Sequence, residues 1–188
     1  MKIMVETSAR HVHLTQEHLD ILFGKGYALT PKKDLSQPGQ FACVEKVEVV
    51  GPKGSLKMSI LGPVRPETQI EISKTETRTL GIDAPLRMSA DLEGTPGCKI
   101  IGPKGEITVD KGVIVAKRHA HFTPDDAKVF GVTDGQAIQI KLDYNGRSLI
   151  FGDVIARVSK TAGLAVHIDT DEANAAGLTG TVDGEAII

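Results

Sequence analysis

The feature that most constrains this chain is a repeat: Arg10-His11-Val12-His13-Leu14-Thr15 returns as Arg118-His119-Ala120-His121-Phe122-Thr123. A motif that recurs with its flanking threonine implies two similar half-structures rather than one continuous core. After each copy the spacing predicts a short helix, over Gln16–Phe23 and over Pro124–Phe130. Each has a threonine at the N-cap, Thr15 or Thr123, and a glycine at the stop, Gly24 or Gly131. Pro124 takes the first helical position, where a missing N–H is harmless.

Between these segments the chain alternates as strands do, and 20 glycines and 9 prolines punctuate it into short pieces. Gly51-Pro52-Lys53-Gly54 and Gly102-Pro103-Lys104-Gly105 each sit at a hairpin turn between alternating runs, and Asn145-Gly146 marks a third. The two Gly-Pro-Lys-Gly turns lack a following helix and so are not phosphate loops. The expected fold is mainly β: two small barrels or sandwiches related by duplication, with few and short helices. The charge balance, 22 Lys and Arg against 24 Asp and Glu, gives no global field for nucleic acid or an anionic membrane. Apolar runs such as 138–142 and 162–168 are far too short to span a bilayer. Two cysteines make no disulfide framework, and residues 1–10 lack the order of a secretory signal, so a reducing cytoplasmic location is expected.

Five of the six histidines fall in the two His-x-His pairs or on Leu164-Ala165-Val166-His167-Ile168. Residues two apart on a strand share a face, so each pair presents two imidazoles to one ion. A lone pair of this kind is more often a surface feature, but its duplication reverses the odds. Each half also offers a third ligand on a later alternating strand: Glu71 in Thr68-Gln69-Ile70-Glu71-Ile72 and His167 in the second half. Their separations from the pairs are similar but unequal, so matching them requires gaps. Three protein ligands with one open position describe a catalytic metal site rather than a structural one.

Arg65, in the stiff turn Gly62-Pro63-Val64-Arg65-Pro66, carries a planar, permanently charged fork suited to phosphate. Lys32, Lys33 and the loop Leu35-Ser36-Gln37-Pro38-Gly39-Gln40 could hold coenzyme A phosphates or form a solvated charged turn. Cys43 and Cys98 sit in apolar runs, where packing is a commoner role than acyl transfer.

The motifs Ser8-Ala9-Arg10-His11-Val12-His13-Leu14, Leu35 to Gln40, Gly62 to Arg65, Arg118-His119-Ala120-His121 and Val166-His167 together resemble the phosphate propanoyltransferases, the PduL-type phosphotransacylases. The resemblance spans nearly the whole chain. It implies two antiparallel β-barrels with short capping helices and a two-metal site, normally zinc, at their junction. It further implies interleaved barrels, residues 1–9 with 117–188 forming one and 10–116 the other. On this chain the implied ligands are His11, His13 and Glu71 for one ion, and His119, His121 and His167 for the second. Arg65 falls where the family binds phosphate, and Ser8, Lys32 and Lys33 are candidates for coenzyme A contacts. The implied reaction exchanges a short acyl group, propanoyl or acetyl, between coenzyme A and phosphate. Microcompartment members carry an amphipathic N-terminal extension, whereas ten residues precede His11 here. Either a free cytoplasmic enzyme, ahead of a microcompartment lumen, or a chain from which such an N-terminal segment has been removed is therefore expected. The sequence leaves acyl chain length, direction and oligomeric state, a homo-oligomer included, open.

Two metal-dependent alternatives compete. A cupin-like protein would use His11, His13 and Glu17 but leaves the second histidine pair unexplained and puts Glu17 on a helix. A dinuclear metallohydrolase explains both pairs, yet the familiar His-x-His hydrolases are larger barrels with alternating helices. A non-catalytic metal-binding barrel is the third possibility, separated from the others by turnover.

Overall fold

The computed structural model describes residues 1–188. The chain runs β1 (Lys2–Thr7), β2 (His11–His13), α1 (Gln16–Phe23), β3 (Pro31–Asp34), β4 (Phe41–Val50), β5 (Ser55–Gly62), β6 (Gln69–Glu71) and α2 (Lys74–Leu80). It continues through β7 (Leu86–Arg87), β8 (Cys98–Ile101), β9 (Glu106–Val109), β10 (Val113–Ala116), β11 (His119–Phe122) and α3 (Pro124–Phe130). The last elements are β12 (Ala137–Leu142), β13 (Leu149–Val158), β14 (Ala165–Ile168), α4 (Thr170–Ala175) and β15 (Val182–Ile187). The protein is mainly β, and no helix is long and apolar enough to cross a membrane. Two compact units emerge: Met1–Ala9 with Ser36–Pro38 and Lys117–Ile188, and Arg10–Leu35 with Gly39–Ala116.

The first unit is a closed six-stranded barrel in the order β1-β14-β11-β13-β12-β15. Closure pairs every edge, which a free sheet of this length would leave as a row of unsatisfied N–H and C=O groups. Strict alternation supplies the interior. β12 buries Ile138, Ile140 and Leu142, which meet Ile3, Val5, Phe122, Val154 and Val166. Burying a side chain the size of Phe122 contributes roughly 2–3 kcal/mol. Pairing is mixed rather than wholly antiparallel: β1 with β14 and β11 with β13 are parallel. A parallel pair needs a long crossover, and α3 with β12 provides the one between β11 and β13.

The second unit is an open nine-stranded sheet, a half-barrel, in the order β7-β10-β6-β2-β5-β4-β8-β9 with β3 alongside β4. Its core gathers Val12, Leu14, Leu19, Leu22, Val47, Val49, Met58, Ile60, Ile70 and Ile100. The two Gly-Pro-Lys-Gly turns dock on helix ends. Lys53 N–H donates to Leu80 O at the end of α2, and Lys104 N–H to Leu22 O near the end of α1, both at 3.0 Å. Those terminal carbonyls have no partner within their helices, so the turns complete them. A Cβ on Gly51 would stand 2.3 Å from Leu80 O, so this approach needs glycine.

The duplication is visible strand by strand. β2 pairs β5 in parallel and β6 antiparallel, just as β11 pairs β13 and β14. The strand preceding each histidine pair crosses over: β1 joins β14, and β10 joins β6, both in parallel. The helices expected from the sequence, α1 and α3, both form with Thr15 and Thr123 as their caps. Helices α2 and α4 were not expected, although each carries a capping box, Ser73 with Glu76 and Asp169 with Glu172.

Two candidate metal centres

In the second unit, β2 and β6 place His11, His13 and Glu71 in one buried group, their ligand atoms all within 4.8 Å of one another. The reason is register. His11 pairs directly with Glu71, which puts both on one face, and the period of two adds His13. His11 Nε2 lies 3.5 Å from Glu71 Oε2, and the two imidazoles meet edge to face at 4.9 Å. His13 Nδ1 sits 3.2 Å from Leu61 O. A carbonyl only accepts, so Nδ1 carries the proton and Nε2 keeps its lone pair. Burial, reinforced by the neighbouring His11 and Arg65, pushes the His13 pKa down to about 3, so the ring is neutral near pH 7.

Behind this group lies a fixed support. Gln69, which is 2% exposed, donates through Nε2 to Glu71 Oε1 at 2.5 Å and to Ser89 Oγ at 2.8 Å. The Ser89 hydroxyl donates to the same Glu71 oxygen at 2.9 Å, and Ala90 N–H holds Gln69 Oε1 at 2.7 Å. Ala90 reaches that bond with a φ of 78°, a left-handed conformation costing an alanine roughly 1–2 kcal/mol. Both donors occupy Oε1, which leaves Oε2 as the oxygen facing His11.

In the first unit β11 and β14 bring His119, His121 and His167 together within the same 4.8 Å limit. His119 pairs directly with His167, and ring centroids lie 4.8 to 5.2 Å apart. His119 Nδ1–H donates to Lys117 O at 2.8 Å, again leaving Nε2 as the donor atom. Burial first, then the adjacent His119, His167 and Arg157, lower His121 to about 3. His167 Nε2–H donates to Glu6 Oε1 at 2.7 Å.

The two groups share a frame that sequence reasoning did not identify. Arg10 and Arg118, each just before its histidine pair, reach the capping-box glutamate of a helix: Glu76 at 2.7 Å and Glu172 at 2.8 Å. Each arginine also donates through Nε to a backbone carbonyl, Lys57 O or Gly152 O. In both units the third candidate ligand stands two residues before the N-cap and five before that glutamate, which aligns Glu71 with His167. The signal was present, since both arginines belong to the repeated motif.

The remaining candidates fall as follows. Arg65 is half-buried, its N–H bonded to Leu14 O and its guanidinium close enough to His13 to lower that pKa. Ser8 follows β1, with its N–H on Ile168 O. Lys32 and Lys33 lie exposed on β3 and join neither histidine group. Glu17 is exposed on α1, which removes the cupin-like ligand set. His18 is a helix residue bonded to Thr68 Oγ1 at 2.7 Å. Cys43 and Cys98 are buried free thiols, pushed up to about 11 and about 12 mainly by burial.

The profile of a family described as phosphate propanoyltransferase matches residues 4–179. A phosphate propanoyltransferase of Thermotoga maritima is 54% identical over 175 residues, 93% of this chain and 83% of the relative. One from Clostridioides difficile is 54% identical over 182 residues, 96% of this chain and 87% of the relative. One from Alkaliphilus metalliredigens is 47% identical over 188 residues, all of this chain and 88% of the relative.

Proposed function

Because this chain belongs to the phosphate propanoyltransferase family and is an acyltransferase, we propose that it exchanges a short acyl group, propanoyl or acetyl, between coenzyme A and inorganic phosphate, with one metal ion in each unit. The observation that carries the metal reading is the pair of converging donor sets, one per duplicated half. The donors fit zinc. Bonds of about 2.0–2.2 Å set tetrahedral donors roughly 3.5 Å apart, a spacing that side-chain torsions reach from groups already this close. The low pKa of His13 and His121 supports the fit, since a neutral imidazole is the form that binds metal. His11, His13 and Glu71 would hold one ion, and His119, His121 and His167 the other. A divalent ion with three protein ligands supplies Lewis acidity to an oxygen and stabilises a thiolate.

In the exchange, a phosphate oxygen attacks the thioester carbonyl carbon, the C–S bond breaks, and coenzyme A leaves as a thiolate that solvent protonates. The reverse reaction retraces this path. Arg65 binds the phosphate through its planar fork, and its backbone bond to Leu14 keeps that fork beside His13. Ser8 just after β1, and Lys32 and Lys33 with exposed side chains on β3, are the remaining candidates for contacts with coenzyme A. Direct attack is favoured over an acyl-cysteine, because both thiols are buried and protonated. The two free thiols also suit a reducing compartment, and we place the reaction in the cytoplasm.

The test is coenzyme A release from acetyl-CoA and propanoyl-CoA, with and without phosphate. Release that requires phosphate and yields acyl phosphate is the expected result. Equal release without phosphate would identify a hydrolase, and none under either condition a binding protein.

A further inference from the structure

Glu6 and the segment Ser36–Pro38 have no part in the reaction proposed above, yet both close on one member of the three-histidine group. Glu6 Oε1 accepts from His167 Nε2–H at 2.7 Å, and the Ser36 hydroxyl donates to that same oxygen. Ser36 Oγ also lies 3.3 Å from His167 Nε2. A carboxylate only accepts, so the contact places a proton on Nε2 and makes Nδ1 the nitrogen His167 would offer a metal ion. Ser36 reaches this place because Gln37, 6% exposed, clasps Gly163 from both sides. Its Nε2 donates to Gly163 O at 2.8 Å, and its Oε1 accepts from Gly163 N–H at 3.2 Å. A Cβ at Gly163 would meet Ser36 O at 2.2 Å, so only glycine admits the loop this closely.

The strand register gives the arrangement a second meaning. In the parallel pair β10–β6, Ile114 stands opposite Glu71, and in β1–β14, Glu6 stands opposite His167. Paired residues share a face of the sheet. Each parallel pair therefore brings one carboxylate to its His-x-His motif, from opposite strands in the two units. Imidazoles ligate metal in their neutral form, so with Glu6 the set would bring an ion one carboxylate, as His11, His13 and Glu71 would.

We propose that Glu6 and Ser36 are positioning residues of the three-histidine centre, held there by the Gln37–Gly163 clasp, and that Glu6 supplies this centre with the negative charge Glu71 supplies to the other. The inference rests on the reading that both groups bind metal. A carboxylate on the far nitrogen of a ligating histidine fixes its tautomer and raises its basicity, and losing such a partner typically weakens metal affinity about 10–100-fold.

Purified wild-type protein, Glu6→Gln and Ser36→Ala are loaded with zinc(II) and titrated with a chromophoric chelator, and the visible absorption of cobalt(II)-loaded samples is recorded. Glu6→Gln is expected to weaken one of the two ions about 10–100-fold and leave the other unchanged, and Ser36→Ala to weaken the same ion less. The cobalt(II) spectrum should change for that ion alone, whereas Glu71→Gln should weaken the other. If Glu6→Gln fails to fold, Ser36→Ala and Gln37→Ala decide by the same readouts. Wild-type protein that binds fewer than two ions would overturn the metal reading itself. Wild-type protein with two ions, and variants matching it in both affinity and spectrum, would overturn this inference alone.

Discussion

Gln69→Leu tests what holds the carboxylate of the His11–His13–Glu71 centre. Leucine keeps most of the volume of this side chain but makes none of its three hydrogen bonds, to Glu71, to Ser89 and from Ala90. Two of these losses compete for attention. A hydrogen bond to a charged group is worth roughly 1.5–3 kcal/mol, and an orphaned buried N–H costs about 1–3 kcal/mol. Ala90 is exposed, so water replaces the lost acceptor and its contribution shrinks. Glu71 is 8% exposed and has no such remedy. The loss at Glu71 therefore dominates, and metal-free Gln69→Leu should be about 1.5–3 kcal/mol less stable in urea unfolding. With the Gln69 donor to Oε1 removed, the carboxylate swings more freely, and zinc affinity at this centre should fall about 10-fold or more. Ser89→Ala should do less alone, and the double variant should deviate from additivity because both residues serve one oxygen. Stability within about 0.5 kcal/mol of wild type, together with unchanged zinc affinity, would refute the idea that Gln69 orients Glu71.

Four further outcomes are expected. Elemental analysis of loaded protein should find about two transition-metal ions per chain, and one or none would contradict two centres. Arg65→Lys should weaken phosphate saturation, and Arg65→Ala should cost activity far more, with metal content normal in both; unchanged phosphate kinetics in Arg65→Ala would move the assignment elsewhere. Cys43→Ala and Cys98→Ala should both retain phosphate-dependent transfer, since thiols at about 11 and about 12 are ionised to about one part in a thousand or less at pH 8; loss of turnover in a folded variant would restore an acyl-cysteine. Metal-free protein should lose stability as pH falls from 6.5 towards 3, because the unfolded chain takes up protons that buried His13 and His121, both near 3, refuse. The slope is at most about 1.4 kcal/mol per pH unit for each histidine, and melts that stay flat across this window would refute it.

What the sequence determined by itself is local. The faces of the two His-x-His pairs follow from the strand period, α1 and α3 from a threonine cap and a glycine stop, and the hairpins from their turns. In the third hairpin Asn145 and Gly146 adopt φ of 49° and 71°, as an Asn-Gly turn requires. These features depend on residues a few positions apart, so neighbouring chain carries their whole cause. Even α2 and α4 were legible in this sense, through Ser73-x-x-Glu76 and Asp169-x-x-Glu172. The tertiary structure alone decided which strands become neighbours. β15 closes the first sheet into a barrel by pairing both β1 and β12, and the exchange of β1 and β10 joins residue 6 to residue 167 and residue 114 to residue 71. No periodicity encodes such a register, because it is set by which edges bury the most apolar surface while pairing their backbones. That register puts Glu6 rather than a fourth imidazole against His167, seats Ser36 beside it across 131 residues of chain, and turns Gln69 towards Glu71.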